Sequence, residues 1–146
     1  MIGKGLFPGS FDPFTLGHAD IVKRALGLLD EVVIAVGYNE NKNGWMPVEE
    51  RVAAIRKLYA GNPCVTVESY TGLTVDFAKE RGITAIIRGV RTTADFEYEM
   101  QLADMNRQLT GIETILLPAS PQFASLSSSV VRELAHFRHD ISKFLP

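Results

Sequence analysis

The sequence predicts an α/β domain built on a Rossmann-like, doubly wound, mostly parallel five-stranded sheet with helices on both faces. Short apolar runs alternate along the chain with longer segments whose apolar residues recur at helical spacing. The connections between these segments are short, which favours successive strand–helix–strand units. The 146 residues are enough for one domain, residues 1–146, and leave no room for a second of ordinary size.

The predicted strands are short and rich in β-branched residues. The first ends in Gly5-Leu6-Phe7 and is stopped by Pro8-Gly9. The second is a continuous apolar run, typical of a strand buried on both faces. The four later strands are predicted at residues 32–36, 65–67, 84–87 and 114–117.

The predicted helices follow from apolar spacing and from signals at their ends. Pro47 suits the first turn of a helix, where the missing N–H costs nothing. Gly82 and Gly111 suit the position just after a helix, because glycine readily adopts a positive φ. The helices are predicted at residues 16–29, about 47–58, 75–81, 94–109 and 128–137.

Composition excludes several classes of protein. Fifteen basic and seventeen acidic residues give a net charge of −2, which argues against general binding to nucleic acid or to anionic membranes. The single cysteine, Cys64, excludes an internal disulfide and a cysteine zinc cage. No apolar run approaches the ~20 residues of a membrane span. We therefore expect a cytoplasmic protein without a membrane partner.

The residues after the first strand are suited to bind an anion. In doubly wound sheets, ligands bind beyond the carboxyl ends of the strands. Thr15 is predicted to cap the following helix, which places His18 at the third helical position beside free backbone N–H groups. The alternative is a capped helix with a surface histidine. The glycine fingerprint of dinucleotide-binding oxidoreductases and the P-loop are both missing, which disfavours those classes.

Basic and hydroxyl side chains follow the other strands. Lys42 lies after the second strand, and Arg88 and Arg91 after the fourth. Arginines can bind phosphate oxygens in a bidentate manner. A run of three serines, residues 127–129, begins the last helix and predicts a second anion site. The alternatives are a solvated lysine, arginines paired with Asp95, Glu97 or Glu99, and a simple capping run.

Together these residues predict a ligand with several phosphates. They all fall at one edge of the sheet, so the positive charge there is local. No residue resembles an activated nucleophile, since Ser10 has no evident base partner. We therefore expect chemistry by positioning and charge stabilisation, without a covalent intermediate.

Several motifs resemble a known family. The segment from Pro8 to His18 resembles the (His/Thr)-x-Gly-His signature of the nucleotidylyltransferase superfamily. Residues 87–91, 94–103 and 126–129 narrow the resemblance to the bacterial phosphopantetheine adenylyltransferase family, over nearly the whole chain. Thr15 stands where other branches have histidine, as is usual in this family.

The resemblance implies an activity and its partners. The expected reaction transfers the adenylyl group of ATP to 4′-phosphopantetheine and releases 3′-dephospho-CoA and pyrophosphate, the penultimate step of coenzyme A synthesis. It implies Mg²⁺ held mainly by ATP phosphates and water, with Asp12 and Glu99 in indirect roles and no protein metal ligand. It also implies a homohexamer, arranged as a dimer of trimers, with CoA as a feedback ligand.

The resemblance also implies roles for individual residues. His18 is expected to stabilise the transition state. The expected ATP contacts are Ser10, Phe11, His18, Gly89, Val90, Arg91, Glu99, Phe123, Ala124, Ser125, Leu126, Ser127, Ser128 and Ser129. The expected 4′-phosphopantetheine contacts are Ser10, Lys42, Leu73, Thr74 and Arg88.

Two alternative functions remain open on the sequence. A cytidylyltransferase of the same superfamily would be expected to carry histidine at position 15 and a different hydroxyl motif before the last helix. A nucleotide-binding module without turnover would bind ATP and release no pyrophosphate.

Overall fold

The computed structural model describes residues 2–146, Ile2 by its backbone alone. One sheet contains the strands β1 (Ile2–Gly9), β2 (Leu29–Gly37), β3 (Val65–Tyr70), β4 (Ala85–Val90) and β5 (Glu113–Pro118). The α-helices are α1 (Leu16–Ala25), α2 (Val48–Leu58), α3 (Thr74–Glu80), α4 (Thr93–Thr110) and α5 (Ser128–His136). Short 3-10 turns lie at Pro121–Phe123 and Ser142–Phe144.

The strand order confirms the predicted doubly wound sheet. The strands lie in the order β3-β2-β1-β4-β5, and every neighbouring pair is parallel. The chain therefore winds outward from β1 in one direction as far as β3, and then crosses to β4 and β5 on the other side. Such a reversal leaves a crevice beyond the carboxyl ends of the two central strands, β1 and β4.

Helices cover both faces of the sheet, as predicted. Phe7 of β1 belongs to the apolar cluster that includes Ile21 of α1 and Ile55 of α2. Leu6, the adjacent residue, belongs to the opposite cluster, with Val75 of α3. This alternation follows the two-residue period of a strand, and it gives the domain a core on each side of the sheet.

The strands are longer than the sequence predicted, and two of the extensions bear on the site. β1 continues through Pro8 and Gly9, which pair with β2. Proline is tolerated because β1 pairs with β4 only at Gly5 and Leu6 among the described residues, so the missing N–H falls beyond that ladder. β4 continues to Val90, so Arg88, which was predicted to follow this strand, lies within it, whereas Arg91 follows it as predicted.

The first helix is shorter than predicted. It ends at Ala25, and Leu29 begins β2, where it is fully buried. Leu29 packs in the same apolar cluster as the buried residues of α1, although it does so from a strand. Its position in the sequence therefore matched the helical spacing of those residues. Gly27, a weak helix former, lies in the intervening turn.

No helix within residues 2–146 is both long enough and apolar enough to cross a membrane.

Candidate active site

A cavity of about 360 Å³ opens beyond the carboxyl ends of β1 and β4. The starts of α1 and α5 both line it, as expected at the point where the winding reverses. Most of the predicted site residues line it: Ser10, Phe11, His18, Arg88, Gly89, Val90, Arg91, Glu99, Phe123, Leu126, Ser127, Ser128 and Ser129.

A second cavity of about 230 Å³ adjoins the first. Pro8, Arg88 and Glu99 line both cavities and so form a shared wall. Leu73 and Thr74, predicted to contact the second substrate, line the second cavity. Of the residues predicted to contact the second substrate, Leu73, Thr74 and Arg88 therefore line the second cavity, whereas Ser10 lines the first.

Three of the predicted site residues are not among the described residues that line the two cavities. Lys42 is exposed on the connection between β2 and α2. Ala124 and Ser125 are exposed on the connection between the 3-10 turn Pro121–Phe123 and α5. Phe123 and Leu126, on either side of them, line the first cavity. The roles predicted for these three residues stay predictions.

His18 is held at the start of α1 by a reciprocal cap. The backbone N–H of His18 donates to the Thr15 hydroxyl at 3.3 Å, and the backbone N–H of Thr15 donates to Nδ1 of His18 at 2.9 Å. This is a capping box with histidine in the place usually taken by glutamate. Because Nδ1 accepts a hydrogen bond, the neutral ring carries its proton on Nε2.

Burial keeps His18 neutral. Its ring packs against Phe11 and Phe14, with centroids 5.0 and 5.3 Å away. Desolvation first, and then the positive charges of Arg91 and Arg88, lower the pKa of His18 to about 4. At neutral pH, His18 can therefore present an uncharged Nε2–H donor.

Arg88 is fixed to α4 by a bidentate ion pair. Its Nε donates to Oε2 of Glu99 at 2.8 Å, and its Nη2 donates to Oε1 at 2.7 Å. Nη1 donates to the carbonyl of Pro8 at 2.9 Å. These bonds use three of the five N–H groups of a guanidinium, so two remain on the terminal nitrogens for a ligand. The ion pair that the sequence left as an alternative is thus present, and it orients the arginine.

Arg91 is held more loosely than Arg88. Its backbone N–H donates to Asp95 at 3.1 Å, and its Nε lies 3.9 Å from the same carboxylate oxygen. Its side chain is 38% exposed. Arg91 is therefore a partly exposed and weakly paired charge that lines the first cavity.

The serines at the start of α5 have different partners. Ser127 caps the helix by accepting the N–H of Val130 at 3.2 Å. Ser128 donates its hydroxyl to the carbonyl of Pro13 at 2.7 Å and ties α5 to the segment before α1. Ser129 accepts from Arg132 at 3.2 Å. Ser127 and Ser129, each accepting in these contacts, keep a hydroxyl proton to donate.

Arg132 is a cavity residue that the sequence reasoning missed. It lines the first cavity and donates to the carbonyl of Asp12 at 2.7 Å. The sequence could have indicated this residue, because side chains three and four positions apart share a helix face. Arg132 follows Ser129 and Ser128 at those intervals.

The carboxylates around the cavity are largely engaged by protein donors. Both oxygens of Asp12 accept backbone N–H groups, and both oxygens of Glu99 accept from Arg88. Oδ2 of Asp20 accepts from Ser120 at 2.7 Å. Within residues 2–146, no group of three histidine, cysteine or acidic side chains is arranged to hold a metal ion.

These features define a class of protein. Two helix starts, three arginines and a neutral histidine meet at the reversal point of a parallel sheet, which is an arrangement suited to a nucleotide and its phosphates. Residues 6–134 match the family model described as cytidylyltransferase-like. Fold and site together are those of a nucleotidylyltransferase.

Curated relatives narrow the class. The chain is 54% identical over 143 residues to phosphopantetheine adenylyltransferase of Phocaeicola vulgatus, covering 98% of this chain and 95% of the relative. It is 50% identical to the enzyme of that name from Cutibacterium acnes and 47% identical to that from Streptomyces coelicolor, each over 98% of this chain and at least 90% of the relative. The chain belongs to the phosphopantetheine adenylyltransferase family.

Solved structures share the fold at lower identity. A bifunctional NMN adenylyltransferase/ADP ribose pyrophosphatase from Francisella tularensis superposes with a TM-score of 0.76 at 17% identity, over 99% of this chain and 45% of that chain. A lipopolysaccharide core biosynthesis protein from Thermoplasma volcanium gives a TM-score of 0.58 at 23% identity, over 82% and 98%. These likenesses confirm the architecture predicted from the sequence.

Proposed function

We propose that this chain transfers the adenylyl group of ATP to 4′-phosphopantetheine, releasing 3′-dephospho-CoA and pyrophosphate. The observation that carries the proposal is the pair of adjoining cavities with Arg88 in their shared wall. Two phosphorylated substrates that must react with each other need adjacent sites with a positive charge between them. Family membership supplies the identity of the substrates.

ATP would occupy the first cavity. The start of α5 and the side chains of Arg91 and Arg132 provide donors for its phosphates. The predicted ATP contacts at Phe11, Gly89 and Val90 lie along the same wall. The pantetheine arm would occupy the second cavity beside Leu73 and Thr74, with its phosphate near the free N–H groups of Arg88 and within reach of Lys42.

The reaction is an in-line displacement at the α-phosphorus. An oxygen of the pantetheine phosphate forms the new P–O bond, and the bond to pyrophosphate breaks, so that pyrophosphate leaves with the electron pair. The attacking phosphate is already anionic, so no base is required. We assign to Nε2–H of His18 a hydrogen bond to an α-phosphate oxygen, which stabilises the charge that develops there.

The proposed reaction includes Mg²⁺ bound to ATP. Bound to ATP, it would neutralise part of the triphosphate charge. Because the carboxylates of Asp12 and Glu99 have both oxygens engaged, the donor set fits an ion held mainly by phosphates and water. What the chain itself supplies is the orientation of the two substrates.

We also propose that the chain assembles as a homohexamer, a dimer of trimers. Within α4, all of whose residues the structure describes, Glu99 alone is buried. Exposed apolar side chains occupy much of this helix: Phe96, Tyr98, Met100, Leu102, Met105 and Leu109. Such a surface on a small domain favours association with further copies. CoA as a feedback ligand and a cytoplasmic location complete the proposal.

Pyrophosphate release tests the reaction. Each nucleoside triphosphate is incubated with the protein and Mg²⁺, with and without 4′-phosphopantetheine. We expect release from ATP that requires 4′-phosphopantetheine. A preference for CTP would favour a cytidylyltransferase, and ATP binding without release would favour a nucleotide-binding module. Thr15 speaks against a cytidylyltransferase, and the names of the curated relatives speak against both alternatives.

A further inference from the structure

The carboxylate of Asp12 is directed at the protein backbone. Asp12 is 6% exposed, and its two oxygens accept the N–H groups of Trp45 at 2.8 Å and Met46 at 2.9 Å. Both amides belong to the segment 38–47, which connects β2 to α2 and carries Lys42. A carboxylate next to the predicted site is thus used to hold a loop.

Arg51 binds the same segment from the other side. It lies near the start of α2 and is 4% exposed. Its guanidinium donates to the carbonyls of Ser10 at 2.7 Å, Met46 at 3.0 Å and Gly37 at 3.3 Å. Gly37 immediately precedes the segment 38–47 and Met46 lies near its end, so one buried charge closes the base of this loop and joins it to the Ser10 turn.

Gly44 passes close to both side chains. Its φ is +68°, and a Cβ at this position would lie 2.7 Å from Oδ2 of Asp12 and 3.6 Å from Nη2 of Arg51. A contact of 2.7 Å is shorter than two such atoms tolerate, so any side chain here would displace the loop from the carboxylate. The conformation in which the segment meets Asp12 therefore requires glycine at position 44.

We propose that Asp12, Gly44 and Arg51 form a loop clamp that positions Lys42 for the phosphate of 4′-phosphopantetheine. The described residues that line the two cavities do not include these three, so we assign them a positioning role. The inference rests on the proposed role of Lys42. Lys42 itself is exposed on a long loop, so a fixed loop base is what limits where its ammonium group can reach.

Two substitutions loosen the clamp by different means. Asp12→Asn keeps the size of the side chain but turns one acceptor into an NH₂ group that faces a backbone N–H. It leaves intact the main-chain carbonyl that accepts from Arg132. Gly44→Ala introduces the clash described above. The matched control is Gly82→Ala, since Gly82 has a φ of +65° and open space where its Cβ would be.

Steady-state kinetics measures the effect. We expect Asp12→Asn and Gly44→Ala each to raise the KM for 4′-phosphopantetheine about tenfold, because a misplaced charge loses most of its contact. The KM for ATP should change less than about twofold. Gly82→Ala should change neither, and its melting temperature shows how much stability an alanine at positive φ costs.

Fluorescence gives a readout independent of activity. Trp45 is the one tryptophan in the sequence, and its backbone N–H donates to Asp12. In Asp12→Asn we expect quenching of this fluorescence by acrylamide to increase, with no change in Gly82→Ala. Unchanged quenching in Asp12→Asn would overturn the clamp.

Lys42→Ala separates the inference from the assignment on which it rests. If Lys42→Ala raises the KM for 4′-phosphopantetheine while both clamp variants behave like Gly82→Ala, the clamp is wrong and the role of Lys42 stands. If Lys42→Ala leaves this KM unchanged, the role of Lys42 is wrong and the inference fails with it. When Lys42 is already alanine, Asp12→Asn should raise the KM less than about twofold further, and a full tenfold increase would also overturn the proposal.

Discussion

His18 combines a donor group with a fixed position. The cap with Thr15 occupies Nδ1, the surrounding aromatic rings disfavour the charged form, and Nε2–H is left for a ligand. A charged histidine in the same place would repel Arg88 and Arg91. The neutral state thus lets three donors share one cavity.

Replacing His18 tests its share of catalysis. We expect His18→Ala to lower kcat by about 10²–10³ while ATP affinity changes much less, since a preorganised donor acts mainly in the transition state. His18→Asn or His18→Gln, which keep an N–H donor, should recover part of the loss. A kcat within a few-fold of the parent for His18→Ala would shift the assignment to Arg91, Lys42 and the metal.

The pKa of His18 predicts a pH dependence of stability. It is about 4 in the folded protein and near 6.5 in an unfolded chain, so the unfolded state binds the proton more readily. The free energy of unfolding should therefore fall as the pH decreases from about 6.5 to about 4. In His18→Gln this contribution is missing. Urea denaturation of both proteins at several pH values measures the difference, and equal slopes would contradict the prediction.

At the scale of elements, one ion pair joins α4 to the sheet, in addition to the packing of this helix against β4 and β5. Glu99, the buried residue of this helix, binds Arg88 of β4 with both oxygens. The same contact orients the free N–H groups of Arg88. Docking of the helix and arrangement of the shared cavity wall therefore depend on the same two side chains.

Removal of one partner should cost more than removal of both. Arg88→Ala leaves the Glu99 carboxylate, whose side chain is 7% exposed, without its partner, and we expect a loss of about 3–5 kcal/mol in the free energy of unfolding. Arg88→Ala combined with Glu99→Gln should recover part of this loss. Both proteins should show weaker use of 4′-phosphopantetheine, because the arginine is absent in each. Chemical denaturation and steady-state kinetics separate the two effects, and equal stability of the single and double variants would contradict the prediction.

The ends of helices and strands could be predicted from the sequence where the local end signals agree with the packing of the folded chain. Thr15 and Gly111 mark real helix ends, the first by its hydroxyl cap and the second by a φ of 78°. Leu29 misled the prediction because it continues a helical spacing from within a strand. The Arg88–Glu99 pair was one of several pairings that the sequence left open, since choosing among them requires the angle at which α4 crosses β4.

At the scale of the whole molecule, the exposed apolar side chains of α4 form a surface suited to contact another copy of the chain. Met105 is 52% exposed and Leu109 is 61% exposed, although both are large and apolar. The adjacent edge strand, β5, is mostly half-buried. The unshielded apolar surface is therefore concentrated at one end of the sheet.

A charged substitution on α4 tests the assembly. We expect light scattering of the parent to give six times the 16.1 kDa of one chain. Met105→Glu should lower this mass, because a carboxylate would have to be desolvated in the contact. Leu28→Glu, at a leucine that is 43% exposed elsewhere, is the control and should leave the mass unchanged. A parent that is a stable monomer at micromolar concentration would reject the proposed hexamer.

The wall shared by the two cavities has a consequence for compounds that link both substrates. Such a compound loses translational and rotational freedom once, whereas two separate ligands lose it twice, so tethering raises the effective concentration of the second half. The product of the proposed reaction is itself a linked compound. Its departure should therefore be slow for its size, and an inhibitor design that joins an adenosine to a pantetheine arm should route its linker past Pro8, where the two cavities meet.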